Sequence, residues 1–211
     1  MTPERIARFR EVASRRQPNL TVVLENVHDP HNIGAVLRSC DAVGIMEIYV
    51  LHNDSGIKPD RLLMGKKASG SAQKWVDIHF YTDTDACLRQ VKARYGAIWA
   101  THLDAEAKSM YAMDFTQSAA LLFGNERDGL TPEALAYADA NFVIPQLGMV
   151  RSLNISVACA VTLFEAMRQR LAAGAYDAAS PLDAEGQEAL FQEYLARSDR
   201  KSYNRNIPRS E

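Results

Sequence analysis

Asn26-Val27-His28-Asp29-Pro30-His31-Asn32-Ile33-Gly34-Ala35-Val36-Leu37-Arg38-Ser39-Cys40-Asp41-Ala42-Val43-Gly44 follows the apolar run Leu20-Thr21-Val22-Val23-Leu24-Glu25, and this succession decides the fold. The run reads as a buried strand over 20–25. Asp29-Pro30 marks a turn, apolar positions then continue as a helix over 31–43, and Gly44 stops it. A strand, a short turn and a helix in that order form the repeating unit of an α/β sheet.

The same alternation continues outward. Strands are expected over 47–51, 75–81, 97–101, 119–123 and 142–144. The apolar runs at 97–101 and 119–123 have the brevity of buried parallel strands. A helix is expected over 82–95, capped by Thr82 or Asp83. Thr131-Pro132-Glu133 opens another, with threonine as cap and proline in the first turn. A long helix over 154–171 ends near Gly174, a linker covers 173–180, and 181–197 forms one more helix with Leu182, Leu190, Phe191, Tyr194 and Leu195 as its apolar positions. The basic, glycine-punctuated segment 61–72 reads as partly helical. The fold class is α/β, a mainly parallel sheet covered by helices on both faces.

The 211 residues suit one domain, and 47% hydrophobic with 24% charged residues supply a real core. No run of 18 apolar residues is present to suggest a membrane span. Residues 1–16 are charged and lack the apolar centre of a secretory signal. Cys40, Cys87 and Cys159 are widely spaced and sit in apolar segments, as expected for buried thiols in a reducing cytoplasm.

The net charge of −2 conceals an asymmetry. Residues 1–19 carry five arginines against Glu4 and Glu11, a balance of +3, and residues 197–211 carry Arg197, Arg200, Lys201, Arg205 and Arg209 against Asp199 and Glu211, again +3. The middle is therefore at −8. Basic ends on an acidic body fit arms that touch a polyanion, or simply solvated helix faces.

Three segments are candidates for chemistry. In the first, the helix start at Asn32-Ile33-Gly34 offers free N–H groups to an anion, and Gly34 and Arg38 share a face. Arg38 is either a ligand-binding cation or a surface arginine paired with Asp41. The second, Gly124-Asn125-Glu126, follows an apolar strand and combines close backbone approach with an amide and a carboxylate. The third runs from Ile144 to Asn154, where Ser152 or Asn154 is placed to cap the following helix. A dinucleotide loop is excluded by spacing, since no glycine lies between Gly34 and Gly44. No phosphate-binding Gly-Lys-Ser/Thr loop is present. His28 and His31 stand at i and i+3 without a third ligand in view, so no metal is expected.

These three segments in this order resemble the motifs of the SPOUT RNA methyltransferases. Within that superfamily they are most similar to the TrmH branch, the tRNA (guanosine-18 2'-O)-methyltransferases. The resemblance runs over about 20–171. It is strengthened by Arg15-Arg16-Gln17-Pro18-Asn19-Leu20, by Ser69-Gly70-Ser71-Ala72-Gln73-Lys74-Trp75 and by the basic C-terminal extension. About twenty residues precede the first strand, too few for the further RNA-binding domain of rRNA relatives.

The resemblance implies a deep trefoil knot in the C-terminal half of a methyltransferase domain over 20–173, with short helical extensions over 1–19 and 174–211. It implies a cytoplasmic homodimer using S-adenosyl-L-methionine, with the helix over 154–171 at the interface. The reaction is methyl transfer to the ribose 2'-hydroxyl of the D-loop guanosine at position 18 of tRNA. The alternatives are another tRNA nucleotide or rRNA as target, and a non-catalytic RNA-binding dimer.

Carried over residue by residue, the cofactor positions are Thr101, Gly124, Ile144 and Leu153, and the catalytic group is Arg38 with Asn32, Glu126, Ser152 and Asn154. Arginine is a poor base because its pKa lies above about 12. Arg38 is therefore expected to fix a phosphate and stabilise the developing alkoxide, with Glu126 orienting Arg38 or assisting proton transfer. Arg8, Arg10, Arg15, Arg16, Lys66, Lys67, Lys74, Arg200, Lys201 and Arg205 are expected to follow tRNA phosphates.

Overall fold

A computed structural model describes residues 1–54, 71–149, 152–177 and 180–199. Its seven strands are β1 (Leu20–Glu25), β2 (Glu47–Leu51), β3 (Asp77–Tyr81), β4 (Ile98–Thr101), β5 (Lys108–Ser109), β6 (Ala119–Phe123) and β7 (Ala140–Val143). All pair in parallel, in the order β3-β2-β1-β6-β4-β7-β5. In β1, β2 and β6 every residue is buried, which is why these strands are apolar without alternation. Val22 sits opposite Ile48 on one side and Leu121 on the other, and Leu24 opposite Val50 and Phe123.

Helices cover both faces. They are α1 (Pro3–Ser14), α2 (Pro30–Ala42), α3 (Thr84–Tyr95), α4 (Pro132–Leu135), α5 (Ile155–Ala172) and α6 (Ala184–Asp199). One core places Ile33, Val36 and Leu37 of α2 and Cys159 and Leu163 of α5 against Leu24, Val50 and Phe123. The opposite core packs Leu88 and Val91 of α3 and Ala134 of α4 against Val23, Tyr49 and Leu122. A third cluster joins Phe9 and Ala13 of α1 to Leu190, Phe191 and Tyr194 of α6. All three cysteines are buried thiols.

The punctuation signals act as read, with two refinements. Asp83, not Thr82, caps α3 by accepting a hydrogen bond from the Ala86 N–H, and β7 is joined at the far edge of the sheet by the two-residue β5, which has no hydrophobic signal. The partly helical segment expected over 61–72 lies outside the described residues except for its last two.

Sheet order decides where a ligand can sit. From β1 the chain steps outward through β2 to β3, then crosses to the other half of the sheet. The loops after β1 and β6 therefore face each other at the carboxyl ends of adjacent strands, the usual place for a site in an open parallel sheet.

Two buried arginines organise the ends of the chain. Arg16 is 1% exposed; its guanidinium meets Asp41 Oδ1 at 2.6 Å and donates to the Tyr194 hydroxyl at 2.7 Å and the Ile45 carbonyl at 3.1 Å. The expectation that Arg16 follows RNA phosphates is thereby corrected: its donors are spent on holding the segment after α1 to α2 and α6. Arg170, also buried, donates to Phe115 O, Gln17 Oε1, Asn19 Oδ1 and Gln117 O, and so ties α5 to the turns flanking β1 and β6.

Glu47 makes the stability pH-dependent. Burial pushes its carboxyl up, but hydrogen bonds with His79, Tyr95 and Tyr49 and the charge of Arg94 outweigh burial and lower it to about 2. Both tyrosine hydroxyls donate to Oε1 at 2.7 Å. A carboxylate held below its ordinary value of 4.5 contributes stability above that pH and loses it as pH falls toward 2. Chemical denaturation between pH 5 and 2 is expected to show a loss on the order of 2–3 kcal/mol from this group. Glu47→Gln should lack that component.

Candidate active site

The site begins where β1 ends. Asn26 adopts a left-handed φ of 53°, a conformation asparagine tolerates better than branched residues. Its N–H donates to the Leu51 carbonyl at 2.9 Å, and its own carbonyl accepts from Asn125 Nδ2 at 2.8 Å. One residue thus joins the loops after β1, β2 and β6. Three residues on, Asp29 caps α2 by accepting from the His31 N–H at 2.8 Å, with Pro30 at the first helical position. This fixes the first turn of α2 and with it Asn32.

The loop after β6 is closed by a backbone pair: Asn125 N donates to Gly129 O at 3.1 Å and Gly129 N to Asn125 O at 2.9 Å. Gly124 is required by this closure. A Cβ there would lie 2.4 Å from the carbonyl carbon and oxygen of Gly129 and 2.6 Å from the Leu130 nitrogen. The tight loop presents Glu126 to α2 and α5.

Asn154 caps α5, accepting from the Ser156 N–H at 2.9 Å and hydroxyl at 2.6 Å. Its amide nitrogen, Nδ2, donates to Asn32 Oδ1 at 3.1 Å. Asn32 Nδ2 donates in turn to Glu126 Oε1 at 2.7 Å. That same carboxylate oxygen accepts from the Ile155 N–H at 3.4 Å, so the acid sits at the positive end of α5. Asn154 is the helix cap, and it also joins a polar relay linking all three sequence motifs.

Beside the relay opens a pocket of about 650 Å³ at the carboxyl ends of β4, β6 and β7. That volume is within the usual range for a small-molecule site, about 300–1,000 Å³. Thr101, Gly124, Ile144 and Leu153 all line it, as do Glu126 and Ser152. Phe123, Phe142 and Ile155 supply apolar wall, and Leu147 stands fully exposed at the mouth. Among the lining residues that sequence reasoning missed, Phe142 was read only as strand, while Leu147 carried no signal beyond lying in the third segment. The donor set fits an adenosine-like cofactor with a cationic centre: apolar walls for a base, strand-end backbone for polar contacts, and one carboxylate, Glu126.

Arg38 is placed differently. It is exposed, it does not line the pocket, and among the described residues it has no hydrogen-bonding or ionic partner. The alternative pairing with Asp41 is absent, because Asp41 is engaged by Arg16. The expected contact between Glu126 and Arg38 is also not made; Glu126 orients Asn32 instead.

Of the other basic residues, Arg8 and Arg15 pair with Glu11 on the surface, and Arg10 pairs with Glu188 while lying 4.0 Å from the Phe191 ring centroid. Lys74 donates to the Ser198 carbonyl at 3.1 Å. Lys66, Lys67, Arg200, Lys201 and Arg205 lie outside the described residues.

Comparison with known proteins agrees with this geometry. Residues 19–164 match the SpoU rRNA Methylase family. The chain is 46% identical over 195 residues to the tRNA (guanosine(18)-2'-O)-methyltransferase of Thermus thermophilus, covering 92% of this chain and 95% of that one. Its fold superposes on the A. aeolicus TrmH/SpoU tRNA modifying enzyme with a TM-score of 0.80 at 35% identity, covering 94% of this chain and 98% of the other. It also resembles the SpoU methyltransferase AviRb from Streptomyces viridochromogenes in complex with AdoMet, with a TM-score of 0.63 at 27% identity over 74% of this chain and 62% of that one. A pocket with this lining, bordered by a relay that unites the three motifs, and a family match across most of the chain lead to one conclusion: the chain belongs to the SpoU methylase family.

Proposed function

We propose that this chain transfers a methyl group from S-adenosyl-L-methionine to the ribose 2'-hydroxyl of the guanosine at position 18 in the D-loop of tRNA. The observation that carries this reading is the hydrogen-bonded relay Asn154–Asn32–Glu126 at the rim of the pocket lined by Thr101, Gly124, Ile144 and Leu153. The names of the relatives in Thermus thermophilus and Escherichia coli supply the substrate.

The cofactor, when bound, supplies an activated methyl on a sulfonium. Thr101, Gly124, Ile144 and Leu153 would hold it. Asn32, fixed from both sides by Asn154 and Glu126, orients the ribose. Glu126 lends negative charge near the cationic centre. Arg38, which has no hydrogen-bonding or ionic partner among the described residues, takes the target phosphate and stabilises charge developing on the 2'-oxygen, while water or phosphate accepts the proton. Positioning supplies much of the acceleration in such a transfer.

The finer expectations belong to the same reading: a trefoil knot in the C-terminal half, a methyltransferase domain over 20–173 with terminal extensions, a cytoplasmic setting and a homodimer. Among the described residues no helix is long and apolar enough to cross a membrane. The dimer is supported by Val157, Val161, Phe164 and Leu171, exposed apolar residues at helical spacing along α5. Arg8, Arg10 and Arg15 would exchange their exposed glutamate partners for phosphates, joined by the basic residues outside the described set.

Calorimetric titration with S-adenosylmethionine tests the pocket. One binding event per chain is expected, and absence of heat with a folded protein would contradict the cofactor assignment.

A further inference from the structure

His28 lies just beyond β1, and His52 and Asp54 lie just beyond β2. Because these strands are parallel neighbours, both segments emerge at the same edge of the sheet. One ligand atom from each of the three side chains lies within 4.8 Å of the other two. His28 Nε2 is 3.1 Å from Asp54 Oδ2, and the two imidazole centroids are 5.6 Å apart. Spacing along the chain had paired His28 with His31; the fold pairs it with residues more than twenty positions away.

His52 is the telling member. It is 3% exposed, and neither ring nitrogen has a hydrogen-bond partner among the described residues. His28 Nδ1 is buried and unpartnered as well. A native interior seldom leaves an imidazole with both nitrogens unsatisfied, so such a group calls for an explanation. Among the described residues no hydrogen bond of either ring nitrogen supplies one.

We propose that His28, His52 and Asp54 form a binding site for one divalent transition-metal ion, with Zn²⁺ the best match. Two imidazoles and a carboxylate with a fourth position open to solvent suit zinc. Magnesium and calcium prefer all-oxygen shells. Tetrahedral bonds of 2.0–2.1 Å place donors about 3.4 Å apart. The present separation of up to 4.8 Å closes by rotation of the partly exposed His28 and Asp54. The ion would clip the loop leading to Asp29 and Asn32 onto the end of β2. It acts as a positioning element for the first turn of α2, outside the methyl-transfer step.

The test uses the full chain after EDTA treatment and dialysis, titrated with Co²⁺ and then Zn²⁺. One Co²⁺ per chain with the visible bands of a tetrahedral site is expected, displaced by Zn²⁺, and Zn²⁺ should raise the Tm. His28→Ala and Asp54→Ala alter partly exposed side chains, so both are expected to fold. Each should weaken Co²⁺ binding at least about tenfold and remove the Tm response. Absence of stoichiometric Co²⁺ bands in the wild type would overturn the site. Undiminished binding in both variants would also overturn it, by moving the metal elsewhere.

Discussion

Arg38→Ala is expected to lower kcat for methyl transfer by about 10²–10³-fold, the scale seen when a single group stabilising transition-state charge is removed. The size of the effect follows from the residue's isolation. No described side chain shares its charge, so no neighbour compensates for its loss, and the side chain is exposed rather than part of the core. Stability and S-adenosylmethionine affinity should therefore remain those of the wild type, because Arg38 lies outside the pocket lining. Arg38→Lys keeps the charge but loses the planar fork that grips phosphate, and should recover only part of the rate. Steady-state kinetics on tRNA transcript, with calorimetry of cofactor binding beside it, checks both halves. A large loss of cofactor affinity in Arg38→Ala would place the residue in the pocket and contradict its assigned role.

Gly124→Ala is expected to have the largest effect on structure. The added methyl meets backbone atoms of Gly129 and Leu130 at 2.4–2.6 Å, and backbone cannot swing aside as a flexible side chain does. Either the 124–130 loop opens, breaking the Asn125–Gly129 pair, or β6 shifts. The unfolding free energy should fall by about 3 kcal/mol or more. Opening the loop also withdraws Glu126 from Asn32 and disturbs the pocket wall. S-adenosylmethionine affinity should then weaken by more than about tenfold, or 1.4 kcal/mol. Urea denaturation and calorimetry report the two separately. An alanine variant with wild-type stability would show that the loop is looser than its hydrogen bonds imply.

What was legible in the sequence was local. Leu20 to Glu25 carries its burial in its composition, Asp29-Pro30 announces α2, and Asn154 both caps α5 and opens the third motif. Once these elements alternate, a parallel sheet follows, and the loops after adjacent strands must meet. The identity of the pocket residues came from the family resemblance, since Thr101, Ile144 and Leu153 are unremarkable as residue types.

What stayed hidden depends on pairing across long stretches of chain. Arg16 looks like any member of a basic arm. Its burial is set by Asp41 and Tyr194, which lie 25 and 178 residues away. His28 gains its neighbours only when β2 docks beside β1. Glu126 was expected to orient Arg38, but the fold brings it to Asn32, six residues earlier on α2. In each case the deciding quantity is a direction in space that residue types do not encode.

The most direct test of the central claim is to map the nucleotide that this chain methylates. Unmodified tRNA transcript and labelled S-adenosylmethionine would be incubated with the wild-type protein, digested with nuclease and analysed by mass spectrometry. The account predicts a single 2'-O-methylguanosine at position 18 of the D-loop. A methyl group on a base, or on a ribose elsewhere in the tRNA, would contradict it.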